Sequence, residues 1–473
     1  MEAISNVLDA LSGIIWGPYV LVPLLLLTGV FLTIVLRGLQ FRQLGPALHL
    51  ALIQRKEEGA DGDVSHYRAL TTALAGTVGT GNIAGVATAI FIGGPGALFW
   101  MWITALFGMA TKYGEAVLGV KYRETDRAGE KAGGPMFYLT NGIGGRTGRT
   151  LGVLFAVFAA IAAFGIGNMV QSFETTSAVE EAFGVPTLLT GAVLTIGAGA
   201  VILGGIRAIG RFTAYFVPFM AVAYMLAATI VLLVNIANVP GAIGQIFSGA
   251  FTGTAATGGF AGAALILALQ SGVARGIFSN ESGLGTGGIA AAAAQTTVPA
   301  RQGIVSMTQT FIDTIVICSF TGLAIVASGV WTGEGDFGGS GARLTQAAFG
   351  ESLGSLGPQL VAVGLALFAF STLITWAYYG ERNIVYLVGR GGVVPYRLVF
   401  IGVIFVGALA AGAETLVFAL NPVWIFADVM NGLMALPNLI GLILLAGVIW
   451  RETREYFFRP GAEGRRSTSN RVR

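Results

Sequence analysis

Adjacent hydroxyls at Ser371 and Thr372 lie in an otherwise apolar stretch, Phe368-Ala-Phe-Ser-Thr-Leu-Ile-Thr-Trp376, with the Phe368 carbonyl one helical turn before Ser371. A second set of oxygens lies in Ala75-Gly-Thr-Val-Gly-Thr-Gly-Asn-Ile-Ala-Gly85, where Thr77, Thr80 and Asn82 interleave with Gly76, Gly79 and Gly81. A third segment, Ser271-Gly-Val-Ala-Arg-Gly-Ile-Phe-Ser-Asn-Glu-Ser-Gly-Leu-Gly285, carries Ser271, Gly272, Asn280 and Ser282 together with the charges of Arg275 and Glu281. Hydroxyls, amides and main-chain carbonyls suit a hard cation such as sodium. They also give a zwitterion the donors its carboxylate needs and the acceptors its ammonium needs. Covalent chemistry has no comparable set of residues: His49 and His66 fall in a polar loop, Cys318 is the single cysteine, and no paired carboxylates mark the apolar runs. The residue types therefore point to binding rather than to an enzyme, and no cofactor is expected.

The elements that must hold these residues are membrane helices. Hydrophobic residues make up 54% of the chain and charged residues 11%, against roughly 25% charged in soluble domains, and the mean hydropathy is +0.76. Apolar stretches able to cross about 30 Å of hydrocarbon occur near 14–36, 69–92, 94–117, 151–173, 187–205, 212–236, 260–294, 302–330, 358–380, 396–413 and 423–450, with Pro437 leaving open two short spans in the last region. The first lacks a basic leader and is longer than a signal-peptide core, so it reads as a retained span. With the 37–68 loop in the cytoplasm, alternation places 24 of the 27 Lys and Arg residues in inner segments, as the positive-inside rule requires. That orientation puts the N-terminus outside and the basic 451–473 tail in the cytoplasm.

Glycine accounts for 71 of 473 residues, about twice its usual share, and the two glycine-rich segments open two groups of five spans that run in opposite directions. The expected fold is an all-α polytopic membrane protein of about 11 helices. It comprises an N-terminal helix and loop (1–68), one five-helix repeat (69–236), an inverted second repeat (260–450) and the basic tail (451–473). A helix broken at membrane depth exposes backbone groups that lipid cannot satisfy, so such breaks line protein or a polar cavity. Paired breaks mark the substrate site of secondary transporters. Gln171 and Trp376 are further candidates for the pocket wall, the amide for its donor and acceptor and the indole for limiting substrate size. Asp313 falls mid-span, with Arg275 as its expected partner and direct cation coupling as the second reading. Arg275 with Glu281 reads as a salt bridge or cap on the broken helix, and Lys112 with Glu115 as an interfacial pair.

Gly93-Gly-Pro-Gly-Ala-Leu-Phe-Trp-Met-Trp-Ile-Thr-Ala-Leu-Phe-Gly108, Ala132-Gly-Gly-Pro-Met-Phe-Tyr138 and Arg275-Gly-Ile-Phe-Ser-Asn-Glu-Ser-Gly-Leu-Gly-Thr286 closely resemble the signatures of the alanine or glycine:cation symporter family, the sodium:alanine symporters. The resemblance covers most of residues 69–450. It implies import of alanine or glycine coupled to sodium, on a fold like that of the amino-acid and neurotransmitter:sodium symporters. Val78-Gly-Thr-Gly-Asn82 resembles the first broken helix of those symporters. That likeness implies that the carbonyls of Ala75 and Val78 ligate sodium with Phe368, Ser371 and Thr372. It also implies that Asn82 lies near the substrate or a second cation. From the residue types themselves, Thr77, Gly79, Thr80, Gly81 and Asn82 are expected to meet the amino acid, with Gln171, Ser271, Gly272 and Trp376 completing the pocket. The expected partners are a small amino acid, sodium and the bilayer, with no nucleic acid. Proton coupling through Asp313 or Glu281 on the same fold is the alternative, and a channel a more distant one.

Overall fold

Glycine and backbone handedness decide where the long apolar runs stop being helices. The structure, a computed structural model, describes residues 2–55, 57, 59–252, 261–332 and 341–458. Nearly all of these are helical, and the only sheet among them is a short antiparallel hairpin of β1 (Glu124–Thr125) and β2 (Lys131–Ala132). Nine helices frame the argument: α1 (Glu2–Ile15), α2 (His66–Thr77), α3 (Ala84–Gly93), α4 (Gly96–Lys121), α5 (Val170–Phe183), α6 (Ala261–Asn280), α7 (Thr286–Ala292), α8 (Leu356–Val388) and α9 (Glu414–Leu444). Six helical stretches among the described residues are long and apolar enough to cross a bilayer unaided: Gly145–Phe183, Gly205–Val234, Pro299–Ser328, Leu356–Val388, Arg390–Ala411 and Val423–Leu444.

The first break is where the sequence puts it. The Ser65 hydroxyl caps α2 by accepting from the Arg68 N–H at 3.3 Å. The helix ends at Val78, Gly79 is extended, and one tight turn over Thr80–Asn82 leads into α3. The halves of 12 and 10 residues, at about 1.5 Å per residue, each fall short of a bilayer's thickness. Only together do they reach that length.

The second break is narrower than the 271–285 segment expected. Helix α6 runs without interruption through Ser271 and Gly272 to Asn280, and the chain is irregular only from Glu281 to Gly285. Within those five residues Glu281, Gly283 and Gly285 have φ of +56°, +97° and +90°, which no right-handed helix accommodates. The glycines adopt this freely, whereas Glu281 forgoes about 1–2 kcal/mol. Gly272 and Gly276 serve contact instead: their missing side chains let α6 press against Ala97, Trp100 and Met101 of α4, the use that small residues commonly have between membrane helices.

Other boundaries differ too. The first expected span, 14–36, is two helices, α1 and Leu21–Val35, separated at Trp16–Val20. Helix α9 passes straight through Pro437 and ends at Leu444, so the region beyond is a separate helix, Ala446–Phe457, rather than more of a span. Two helices, Val239–Thr252 and Gly341–Leu353, occupy stretches read as loops. Residues 459–473 of the expected basic tail lie outside the described residues. Helix α6 packs against α3 and α4, α8 runs past α2 and α5, and α1 lies on α9.

Candidate functional site

Breaking α2 frees particular oxygens. In a continuous helix the Ala75 carbonyl would accept from the Gly79 N–H and the Val78 carbonyl from the Asn82 N–H. Here the Gly79 N–H is taken by the Asn82 Oδ1 at 2.9 Å, and the Asn82 N–H by the Gly79 carbonyl at 3.2 Å. Both freed carbonyls face α8. The Ser371 Oγ lies 2.8 Å from the Phe368 carbonyl, 3.1 Å from that of Ala75 and 3.4 Å from that of Val78. The Thr372 Oγ1 lies 3.2 Å from the Ala75 and Phe368 carbonyls. All five residues are buried. Two hydroxyl protons serve three carbonyls, so oxygens outnumber donors. Five neutral oxygens at the negative end of a half-helix suit a small hard cation, with the hydroxyl protons turned away.

The amino side of the same break is lined by polar groups that hold its backbone. The Gln171 Oε1 accepts from the Thr80 N–H at 3.2 Å, and its Nε2 donates to the Ile166 carbonyl at 3.0 Å across wide π-helical turns at Gly165–Met169. Gly79 abuts Thr372 and Gln171, and Gly81 abuts Phe278 and Ser279. Asn82 reaches across to donate to the Asp313 Oδ1 at 2.8 Å, while Ser279 and Thr314 donate to the Oδ2, each at 2.8 Å. The Trp376 Nε1 donates to the Glu281 Oε1 at 2.8 Å and lies 3.3 Å from the Gly76 carbonyl. That indole therefore joins both breaks to α8. The Thr77 hydroxyl turns back on its own helix, to the Ala73 carbonyl at 3.2 Å.

The second break is anchored by charge. The Glu115 Oε1 accepts the freed N–H groups of Gly283 and Gly285 at 2.9 and 3.0 Å, and the Asn438 Nδ2 at 3.0 Å. Lys112 stands 3.6 Å from Glu115 and donates to the Glu281 carbonyl at 3.0 Å. This pair, expected at the interface, is fully buried. Its charges are kept at depth because the unwound backbone needs an acceptor and a donor there. The Glu281 carboxylate also accepts from Thr286 at 2.5 Å, spanning the break.

Residues Thr77, Gly79, Thr80, Gly81, Asn82, Gln171 and Trp376 thus converge on one region beside the Ala75, Val78, Phe368, Ser371 and Thr372 oxygens. Ser271 and Gly272 do not join them: the Ser271 hydroxyl donates to the Leu267 carbonyl at 2.6 Å, two turns and more before the irregular backbone. The expected Arg275–Asp313 pair is absent. Asp313 is held by neutral donors, and Arg275 stacks over Phe278 at 5.7 Å to the ring centroid. Arg275 does not pair with Glu281 either, whose partners are Trp376 and Thr286. His66 is no loop residue but sits buried in the first turn of α2, with its Nδ1 2.6 Å from the Gln302 Oε1. The anchoring roles of Lys112, Glu115 and Asn438 escaped the sequence reading, although three polar side chains within apolar runs were the signal.

At the end of the molecule that carries the hairpin, a network of ion pairs ties the elements together. Arg382 of α8 pairs with Glu381 and, at 3.3 Å, with Glu130 and, at 3.6 Å, with Asp126; Arg390 pairs with Asp126 at 3.0 Å and also with Glu130. Burial alone would raise the Asp126 carboxyl, yet the N–H groups of Glu130 and Ala128 and the Arg390 guanidinium hold it below the usual carboxylate range. Burial raises the Asp63 carboxyl, which accepts from the Lys131 N–H at 2.8 Å. Arg123 donates to the carbonyls of Ala292, Ala294 and Thr296, holding the C-terminal end of α7 and the turn after it.

The family model described as the sodium:alanine symporter family matches residues 1–470. The sodium/alanine symporter AgcS of Methanococcus maripaludis is 51% identical over 457 residues, which cover 96% of this chain and 98% of that protein. The probable sodium/glutamine symporter GlnT of Bacillus subtilis is 35% identical over 456 residues, covering 96% and 91%. Among solved structures, the crystal structure of MhsT in complex with L-phenylalanine superposes with a TM-score of 0.55 at 12% identity, over 84% of this chain and 99% of that one. At that identity the likeness is one of fold.

Proposed function

The chain belongs to the sodium:alanine symporter family, and from that premise we propose that it imports alanine or glycine together with sodium by alternating access around the two breaks. That it is a multi-pass membrane transporter and no enzyme follows from the family itself. The observation that carries the finer reading is the meeting of five oxygens, from Ala75, Val78, Phe368, Ser371 and Thr372, where α2 ends against α8. A sodium ion there fixes the end of α2 and so sets Gly79, Thr80, Gly81 and Asn82 for the amino acid. Occupancy of either ligand then favours the other to the same degree. In this reading the two five-helix halves, 69–236 and 260–450, form the inverted repeat, with the N-terminus outside and the C-terminus in the cytoplasm. The names of the relatives, which include a sodium/alanine and a probable sodium/glutamine symporter, support an amino-acid substrate. Trp376 beside Gly76 supports a small one.

The test is alanine uptake into proteoliposomes under imposed sodium or proton gradients. Wild-type protein is expected to accumulate alanine only with inward sodium, and the double variant Ser371→Ala, Thr372→Ala to lose sodium stimulation while still inserting. Accumulation that follows the proton gradient alone would favour the second reading. That reading has its own support in Asp313, a fully buried carboxyl hydrogen-bonded to the neutral groups of Asn82, Ser279 and Thr314. It requires Asp313→Asn to abolish proton-driven uptake.

A further inference from the structure

A cavity of about 900 Å³ opens beside the β1–β2 hairpin, where the bilayer-crossing stretch Gly145–Phe183 begins and α8 ends. Its wall combines two kinds of residue. Val153 and Val388 are apolar and stay 38% and 69% exposed, and the exposed Leu154 and Val157 continue the apolar face of the first helix away from the hairpin. In a chain that crosses a membrane such a face meets acyl chains. Arg127 of the hairpin turn, Arg149 and Arg390 supply positive charge to the same cavity. On both helices the arginine lies nearer the end of the span than the valine does. Arg149 stands one turn, about 6 Å, before Val153, and Arg390 follows Val388 by two residues.

The acids that border the cavity, Glu124 and Asp126, are already engaged. The Glu124 Oε1 accepts from the Asn141 Nδ2 at 2.8 Å. The Asp126 Oδ1 accepts from the N–H groups of Ala128 and Glu130 at 2.9 and 3.0 Å, and its Oδ2 from the Arg390 Nε at 3.0 Å. Arg127 and Arg149 are exposed and, among the described residues, have neither an ion pair nor a hydrogen-bonded partner. The cavity therefore offers two uncommitted guanidiniums, groups whose planar forks match the oxygens of a phosphate. A free phosphate would fill little of this volume and leave the valines uncovered. An anion that carries hydrocarbon covers both parts of the wall, and basic pockets at the ends of membrane helices take phospholipid headgroups in this way.

From this arrangement we infer a site for one anionic phospholipid, its phosphate held by Arg127 and Arg149 and an acyl chain laid along Val153 and Val388. None of the residues around it belongs to either break or to the five cation oxygens, so the site stands apart from the solute and its coupling ion. Arg390 borders the headgroup while keeping its pairs with Asp126 and Glu130. A lipid seated there joins the hairpin to the start of one spanning helix and the end of another.

Native mass spectrometry of the purified full-length protein, titrated in detergent with phosphatidylglycerol or with phosphatidylcholine, tests it. Wild-type protein is expected to retain one phosphatidylglycerol about tenfold or more tightly than phosphatidylcholine. Arg127→Gln and Arg149→Gln should each weaken that lipid about tenfold, and the two together should remove the preference between lipids. The double variant Arg127→Lys, Arg149→Lys keeps the charge and should keep the preference, which separates headgroup recognition from a folding defect. Arg146→Gln removes an exposed arginine of the same helix that does not border the cavity, and should bind as wild type does. Inorganic phosphate in millimolar excess should leave phosphatidylglycerol bound. Equal retention of the two lipids by wild-type protein overturns the site, as does a loss in Arg146→Gln as large as in Arg149→Gln. Displacement by inorganic phosphate overturns the lipid in favour of a soluble anion.

Discussion

Replacing Thr372 with valine removes one oxygen of the proposed cation site and keeps the side chain's volume. The Thr372 Oγ1 stands 3.2 Å from the Ala75 and Phe368 carbonyls, inside a cluster where every group is buried, so water cannot take its place. A hydrogen-bonding interaction with a charged group contributes about 1.5–3 kcal/mol, and losing one such oxygen should weaken sodium binding by about 10- to 150-fold at 1.4 kcal/mol per decade. The assay is initial-rate alanine uptake against external sodium. Thr372→Val should shift the half-saturating sodium concentration upward by that factor. Alanine affinity at saturating sodium should stay near wild type, because in the proposed function the substrate meets the other face of the break. Thr372→Ser, which keeps the oxygen, should stay within about threefold of wild type. An unchanged sodium dependence in Thr372→Val would refute the assignment. A loss of alanine affinity at every sodium concentration would show that Thr372 serves the substrate instead.

Three further outcomes follow from named contacts. At Gly79 a methyl group would come to 2.5 Å from the Thr372 Oγ1 and 3.2 Å from the Gln171 Oε1; overpacking of about 1–3 kcal/mol in a wall shared by both ligands should make Gly79→Ala lower uptake about tenfold or more, with normal membrane insertion as the control. Glu115→Gln leaves Lys112 buried without its counter-charge and should cost about 3–5 kcal/mol, measured as unfolding in detergent, whereas the double variant Lys112→Met, Glu115→Gln should recover part of that loss. The Asp126 carboxyl lies below its usual range in the folded protein, so its contribution is present above the unfolded value and fades only as pH falls through the lower folded one. Hydrogen exchange in the 124–132 hairpin should accordingly stay slow from pH 7 down to 5, and rise at pH 7 in Asp126→Asn.

The first break was legible because three glycines and three polar residues within eight positions are incompatible with a lipid-facing helix, and Ser371 with Thr372 because hydroxyls are conspicuous in an apolar run. The second break was drawn ten residues too long. Gly272 and Gly276 look the same in sequence whether they break a helix or let two helices touch, and only the positive φ at Glu281, Gly283 and Gly285 tells the two apart. The Arg275–Asp313 pairing failed for a related reason. Opposite charges suggest each other along the chain, but Arg275 stands one turn, about 6 Å, before Ser279 on α6, and it is Ser279 that comes level with Asp313. Lys112 and Glu115 were read as interfacial because polar side chains near the end of a span usually are. Nothing in their own segment says that the acceptors and donors they serve belong to residues 281–285, far along the chain.

The two breaks are satisfied by different chemistry, and under the proposed function that difference gives them different roles. At the second, the N–H groups of Gly283 and Gly285 are held by one carboxyl acceptor, Glu115, itself fixed by Lys112 and Asn438. A carboxylate arriving from outside would have to displace a carboxylate already in place, at no electrostatic gain. At the first, the N–H groups of Gly79 and Thr80 are held by the neutral amide oxygens of Asn82 and Gln171, and a carboxylate accepts more strongly than an amide. Exchange there is favourable, and it frees Asn82 to keep its bond to Asp313 while its oxygen turns elsewhere. Under the proposed function, the substrate's carboxylate is therefore expected at the first break rather than the second. Glutamine-to-glutamate exchange offers the check: Gln171→Glu puts an ionised acceptor on the Thr80 N–H and should lower alanine affinity at least tenfold, with sodium binding retained. If Gln171→Glu binds alanine as wild type does, the carboxylate sits elsewhere.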